Sequence, residues 1–113
     1  MNTVTISVTS MQDVKQRAAA ALRGKKQGAR ISFVSEDLLW KTITPKRWTL
    51  LKAMVGQEPM AIRELARRVK RDVRAVHSDV HVLIKAGVLD RADEGGVVFR
   101  YSAIHVDFLL QAA

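Results

Sequence analysis

The residues with the clearest chemical potential are a group of cationic side chains in the second half of the chain. Six arginines and lysines fall within twelve positions, namely Arg63, Arg67, Arg68, Lys70, Arg71 and Arg74. Within the same stretch they are opposed by two acids, Glu64 and Asp72. Guanidinium and ammonium groups at this density bind phosphate and other anionic groups. The first class of ligand to consider is therefore a polyanion.

The segment that follows has the periodicity of an amphipathic helix. Its apolar residues recur on one side, as Val73, Val76, Val80, Leu83 and Ile84. Arg74, Ser78, His81 and Lys85 recur on another side, within an arc of about 60° at 100° per residue. Such a face can enter the major groove of DNA, where an arginine grips O6 and N7 of guanine and a serine donates to a base edge or a phosphate. We expect Arg74 to be the base-reading residue and His81 to meet phosphate.

Two further residues of this helix, His77 and Asp79, have expected structural roles. His77 lies at the margin of the polar face, and we expect it to pack at the edge of the core. We expect Asp79 to pair with Arg63 or Arg67 and so to brace two helices. The full set of predicted DNA-contacting residues is Arg63, Arg67, Lys70, Arg71, Arg74, Ala75, His77, Ser78, His81, Arg91 and Arg100.

Length and composition limit what can surround these residues. The chain has 113 residues, 19 Lys and Arg against 11 Asp and Glu, a net charge of +8, and 48% apolar residues, enough for a core in one domain or a small module with an arm. The absence of cysteine excludes disulfides, thiolate metal sites and thiol catalysis. No apolar run approaches the roughly 18–20 residues of a membrane span, and no signal peptide is evident. We expect a cytoplasmic, nucleoid-associated protein without a membrane partner.

The remaining elements follow from alternation and capping signals. Thr3–Val8 and Arg30–Val34 alternate as strands, with a helix between them that opens with Ser10 and Asp13 and ends in a loop at residues 24–28. Thr44-Pro45 starts a helix that ends at Gly56, and residues 62–69 form the next one. Beyond the polar helix, residues 88–101 predict a hairpin with a turn at Gly95-Gly96, and the tail Ile104–Leu110 predicts a final strand.

This order predicts an α+β fold, a winged helix-turn-helix with an N-terminal β-α-β arm and a C-terminal strand. We place the arm at residues 1–40, for dimerisation or partner binding, and the DNA-binding domain with its C-terminal strand at residues 41–113. The helix-turn-helix would consist of residues 62–69, a turn, and residues 72–86. The two arm strands and the tail are too short to be stable alone, so we expect them to pair, within or across protomers, at a dimer interface.

Several segments also resemble a known family. They are Leu38-Leu39-Trp40, Ile43-Thr44-Pro45-Lys46-Arg47-Trp48, residues 62–69, residues 72–80, Ala86-Gly87-Val88-Leu89 and His105-Val106-Asp107-Phe108. Together they resemble winged-helix DNA-binding proteins of haloarchaeal and bacterial type in the MarR-like group, over most of residues 38–110. Thr44–Arg47 and the Val-His-x-Asp-Val run at residues 76–80 are the more specific parts. The resemblance implies an antitoxin that represses its own operon and neutralises a small protein toxin.

Other functions have weaker support in the sequence. His77 and His81 have a spacing that can chelate a metal, but Asp79 points elsewhere and no cysteine supports the site, so we expect no metal or other cofactor. The sequence contains no nucleophile elbow, Walker loop or dinucleotide fingerprint, so we expect no enzyme. The prediction is a sequence-specific repressor that binds double-stranded DNA as a homodimer. The alternatives are a winged-helix interaction module, an inhibitor or adaptor with incidental DNA binding, and an RNA-binding protein.

Overall fold

A computed structural model of the chain describes residues 2–9, 11–22, 28–110 and 112. In chain order its elements are β1 Thr3–Val8, α1 Met11–Leu22, β2 Arg30–Phe33, α2 Glu36–Thr42, α3 Pro45–Met54, α4 Ile62–Val69, α5 Val73–Lys85, β3 Asp90–Arg91, β4 Val97–Val98 and β5 Ala103–Asp107. The predicted α+β class is confirmed. The predicted cap at Ser10 and most of the predicted loop at residues 24–28 lie outside the described residues. None of the described helices has the length and apolar character needed to cross a membrane.

A three-stranded parallel sheet joins the two ends of the chain. β1 is its central strand, with β2 on one side and β5 on the other, and Ile6 lies opposite both Ile31 and Val106. Val4 and Ile6 are fully buried, as the alternation in β1 requires. Asn2 and Ser102 add two further hydrogen bonds between these strands. The Asn2 N–H donates to Ser102 Oγ at 3.0 Å, and the Ser102 N–H donates to the Asn2 carbonyl at 2.9 Å. The arm strands and the tail thus pair within one chain, which is one of the two expected arrangements, and the expected dimer interface stays a prediction.

Helices α3, α4 and α5 enclose the larger part of the core. The Thr44 hydroxyl accepts the Arg47 N–H at the start of α3, and the Asp72 carboxylate accepts the Arg74 N–H at the start of α5. The residues that they bury completely include Leu50, Leu51, Leu65, Val76, Val80 and Leu83. Val73 was expected among the buried residues of α5, but its side chain is 41% exposed. It is the first residue of the helix, and the buried residues begin one helical turn later, at Val76.

The hairpin is shorter than its sequence suggests. Only two residues pair on each side, Asp90 with Val98 and Arg91 with Val97, although the alternation continues to Tyr101. Phe99 instead enters the core, where Tyr101 contacts its ring edge-on at 5.4 Å. Outside the named strands, Met60 exchanges two backbone hydrogen bonds with Val97, at 2.8 and 3.0 Å. The segment before α4 is therefore attached to the hairpin.

Gly95 and Gly96 both have positive φ, as predicted for this turn, but Gly96 has a second constraint. A Cβ atom at Gly96 would lie 2.6 Å from the Met60 carbonyl oxygen, whereas a Cβ at Gly95 would meet nothing within 4 Å. The bridge between Met60 and Val97 thus requires glycine at this position.

We expect Gly96→Ala to destabilise the protein more than Gly95→Ala. Both variants place a side chain in a left-handed conformation, at a cost of about 1–2 kcal/mol. Gly96→Ala also disrupts the two Met60 hydrogen bonds, which adds about 1–2 kcal/mol. Urea denaturation followed by circular dichroism measures the difference, and equal losses in the two variants would show that the bridge does not constrain the turn.

Candidate nucleic-acid interface

One side of α5 is polar and open to solvent along its whole length. The exposed residues on this side are Arg74, Ala75, His77, Ser78, His81, Val82 and Lys85, of which Val82 is the one large apolar residue. Val76, Val80 and Leu83 on the other side are completely buried. With 13 residues, the helix is about 20 Å long. The buried stripe therefore holds α5 in one orientation and presents the predicted contact residues together.

Helix α4, which packs against α5, carries three further arginines, but one acid partly neutralises them. The Glu64 carboxylate accepts hydrogen bonds from Arg67 Nε at 2.5 Å and from Arg67 Nη2 at 2.7 Å. Arg68 Nε lies 3.5 Å from the same carboxylate. The hydrogen bonds from Arg67 hold the pKa of Glu64 below its usual value and raise the pKa of Arg67. Arg63 and Arg67 remain exposed, so the group keeps a positive surface.

Three residues, Lys70 to Asp72, connect α4 to α5. Lys70 has a left-handed backbone with φ of 56°, and the Arg71 N–H returns to the Ala66 carbonyl at 3.1 Å. The Lys70 side chain is exposed, so its ammonium group extends the cationic surface at the entrance to α5.

Asp79 is the electrostatic link between the helices, and its predicted partners are wrong. Its carboxylate accepts Arg47 Nε at 3.0 Å and Arg71 Nη2 at 2.8 Å, whereas the prediction named Arg63 or Arg67. Those two arginines lie on the exposed side of α4, while the left-handed turn at Lys70 carries Arg71 back against α5.

Arg47 extends this link to α2 and was missed in the sequence. Its Nη1 donates to the carbonyls of Lys41 and Thr42, at 3.0 and 3.1 Å, near the end of α2. One carboxylate thus connects α2, α3, the turn and α5. Arg47 belongs to the Thr-Pro-Lys-Arg run that carries the family resemblance, which was the one available signal.

Arg71 consequently differs from the other predicted contact residues. Its side chain is 20% exposed, and Nη1 is buried without a hydrogen-bond partner. The guanidinium is held by Asp79 rather than presented on the surface.

The two histidines of α5 also differ from the expectation. His77 was expected at the edge of the core, but it is exposed because Val76 and Val80 occupy the buried stripe. Its Nε2 lies 3.2 Å from Nε2 of His81, one helical turn later. Among the described residues, no group of three or more His, Cys, Asp or Glu side chains is placed to hold a metal ion.

Of the two predicted hairpin residues, Arg91 lies next to the tip, opposite Val97, and Arg100 lies at the base. Arg91 is exposed in β3, and Arg100 follows β4 with its Nε 3.1 Å from the Asp90 carboxylate. The tip itself presents Asp93 and Glu94, both exposed. A hairpin with an acidic tip does not favour contact with a phosphate backbone through that tip.

A separate apolar surface lies beside the parallel sheet. A cavity of about 340 Å³ is lined mainly by Ile6, Leu39, Trp40, Ile43, Trp48 and Val106. The Trp40 ring meets the Phe108 ring edge-on at 5.8 Å. Further large apolar side chains are exposed on α2, on β5, in the tail and directly after β2, and we call Val34, Leu38, Trp40, Val106, Leu109 and Leu110 the apolar patch.

We expect Asp79→Asn to destabilise the protein by about 2–4 kcal/mol, because it removes the countercharge of two largely buried arginines. Asp90→Asn is the matched control, since it breaks an ion pair that is half exposed and should cost less than about 1 kcal/mol. Chemical denaturation at neutral pH measures both variants. Similar stabilities of the two would contradict a structural role for Asp79.

Comparison with known proteins gives one result. The model of the family HVO_A0114 matches residues 42–106, from the last residue of α2 into β5. No curated protein and no solved structure matches the chain. The matched segment contains Asp79, both of its arginine partners and the whole of α5, and it covers more than half of the 113 residues. The chain therefore belongs to the HVO_A0114 family.

Proposed function

We propose that this protein is a transcriptional repressor that binds double-stranded DNA sequence-specifically, as a homodimer of winged helix-turn-helix subunits. The observation that carries the proposal is the exposed face of α5, where donors at helical spacing lie opposite a completely buried stripe.

The arrangement of elements supports the winged-helix assignment. Helices α4 and α5 are joined by a turn of three residues, the usual length in a helix-turn-helix, and α3 packs with them. The hairpin follows α5 directly, and Met60 adds a third backbone segment to it before α4 begins. In this assignment α5 is the recognition helix.

The residues on α5 fit different parts of a DNA site. Arg74 lies in the first turn, which is the part of a recognition helix that reaches base edges, and its planar fork matches guanine. Ser78 follows one turn later and donates to a base or a phosphate. Lys85, Arg63, Arg67 and Lys70 supply charge for the phosphate backbone.

Three predicted contacts take different roles in this proposal. Arg71 acts through Asp79, which sets the position of α5, and does not itself contact DNA. Arg91 and Arg100 approach the DNA from the sides of the hairpin, because the acidic tip is repelled by phosphate.

We expect Arg74→Ala to weaken binding to a duplex selected from random sequence by about 1–3 kcal/mol and to relax the preference at one base pair. Lys15→Ala is the matched control, because it removes one exposed charge from α1 rather than α5. Fluorescence anisotropy at several salt concentrations measures both variants. If Arg74→Ala weakens selected and random duplexes equally, Arg74 does not read a base.

A second copy of the chain is the proposed occupant of the apolar patch. One recognition helix reads one half-site, so a palindromic site requires two subunits about one helical turn apart. The patch includes Leu109 at 77% and Leu110 at 81% exposure, and an apolar cavity adjoins it. Large exposed apolar side chains beside an apolar cavity are characteristic of protein interfaces.

We expect Leu109→Glu with Leu110→Glu to convert a dimer into a monomer without unfolding it, because both side chains are largely exposed in one subunit. Val82→Glu, on α5 and outside the patch, is the control and should leave the dimer intact. Sedimentation equilibrium measures the mass. A wild-type monomer would favour the alternative function, a winged-helix inhibitor or adaptor that binds another protein through this patch.

The antitoxin role stays a prediction based on the family resemblance. It requires a small toxin that binds this chain, and co-expression with the product of the neighbouring gene tests it. In either role the DNA-bound protein would be located at the nucleoid.

A further inference from the structure

The sequence alone predicts no metal site, but the structure brings two histidines of α5 together, and we propose that His77 and His81 form a chelating site for one divalent transition-metal ion such as Zn²⁺ or Ni²⁺. The two side chains project from consecutive turns of α5, their ring centroids are 4.3 Å apart, and their Nε2 atoms are 3.2 Å apart. Both are exposed, so an ion reaches them from solvent without any change in the fold.

The two Nε2 atoms lie within hydrogen-bond distance of each other, and an ion shared by both nitrogens replaces that hydrogen bond. Zinc binds histidine nitrogen at about 2.0–2.1 Å. An ion at that distance from two nitrogens 3.2 Å apart makes an N–metal–N angle of about 100°, close to the tetrahedral value. The helix already holds the two rings one turn apart, so little order is lost when the ion binds.

The ligand type selects the class of metal. Imidazole nitrogen suits zinc, nickel and copper, whereas magnesium and calcium require oxygen ligands. The chain has no cysteine, so this site has no thiolate ligand. No third His, Asp or Glu completes a cluster among the described residues, which leaves the other coordination positions to water or an external ligand.

Cationic neighbours set the strength of the site. Arg74 and Lys85 lie on the same face of α5, and their charges oppose the approach of a dication. We therefore infer a site of moderate affinity that depends on both histidines.

The location gives the site a consequence that rests on the proposed function. If α5 enters the major groove, a bound ion adds positive charge to that face and offers open coordination positions to a base nitrogen or a phosphate. The binding site itself needs no DNA, so it is tested without DNA.

Calorimetric titration of the untagged, full-length protein with zinc chloride is the test. We expect one ion per chain, and His77→Gln or His81→Gln should each weaken the affinity by about tenfold or more, since the second ligand acts at a high effective concentration. His105→Gln is the matched control, because His105 is the third histidine, lies on β5 and is also exposed. Circular dichroism checks that all variants are folded.

A second variant tests the geometry rather than the number of histidines. His81→Gln combined with Val82→His keeps three imidazoles but moves one to a direction about 140° from His77. We expect this variant to bind as weakly as His81→Gln. Wild-type affinity in this variant, or in His77→Gln, would overturn the proposal, as would undetectable zinc binding by the wild type. DNA binding is measured separately, without metal. Its absence would contradict the proposed function and would leave the zinc result unaffected.

Discussion

The Asp79 carboxylate holds the helices in the arrangement on which the candidate site depends. It accepts hydrogen bonds from Arg47 Nε at 3.0 Å and from Arg71 Nη2 at 2.8 Å, and all three side chains are at most 20% exposed. Charges so far removed from water are stable only when they are paired, so each arginine requires the carboxylate. Because Arg47 also binds two carbonyls near the end of α2, a single acid sets the direction of α5 relative to α2 and α3. These ion pairs hold α5 in place, so the residues on its exposed face keep fixed positions.

The parallel sheet imposes a second constraint, on the chain as a whole. β1 at the start and β5 near the end are neighbours, so the segment expected as an arm is tied to the strand that follows the hairpin. The exposed apolar residues of the patch belong to β5, the tail, α2 and the residue after β2. The apolar patch and the cationic face of α5 thus lie on different elements. This separation is the physical basis for proposing DNA on one surface and a second subunit on the other.

Local signals in the sequence predicted the helices well, and long-range geometry was beyond them. Thr44-Pro45 and Asp72 mark helix starts by capping chemistry, which depends only on nearby backbone groups, and both starts are correct. The partners of Asp79 depend on how α4 turns into α5, and that turn uses a left-handed Lys70 with no glycine to signal it. The spacing of His77 and His81 was visible, but the approach of their rings depends on side-chain rotamers. The alternation in β5 predicted a strand and left its neighbour open.

In the proposed function, the exposed face of α5 distinguishes one DNA sequence from another. This discrimination is measured by the ratio of dissociation constants for a duplex selected from random sequence and for a scrambled duplex of the same length, at physiological salt. We expect a ratio of about 10³ or more, because base contacts add to a phosphate attraction that both duplexes share. Equal dissociation constants would contradict sequence-specific binding and would show that the positive surface binds polyanions without regard to sequence.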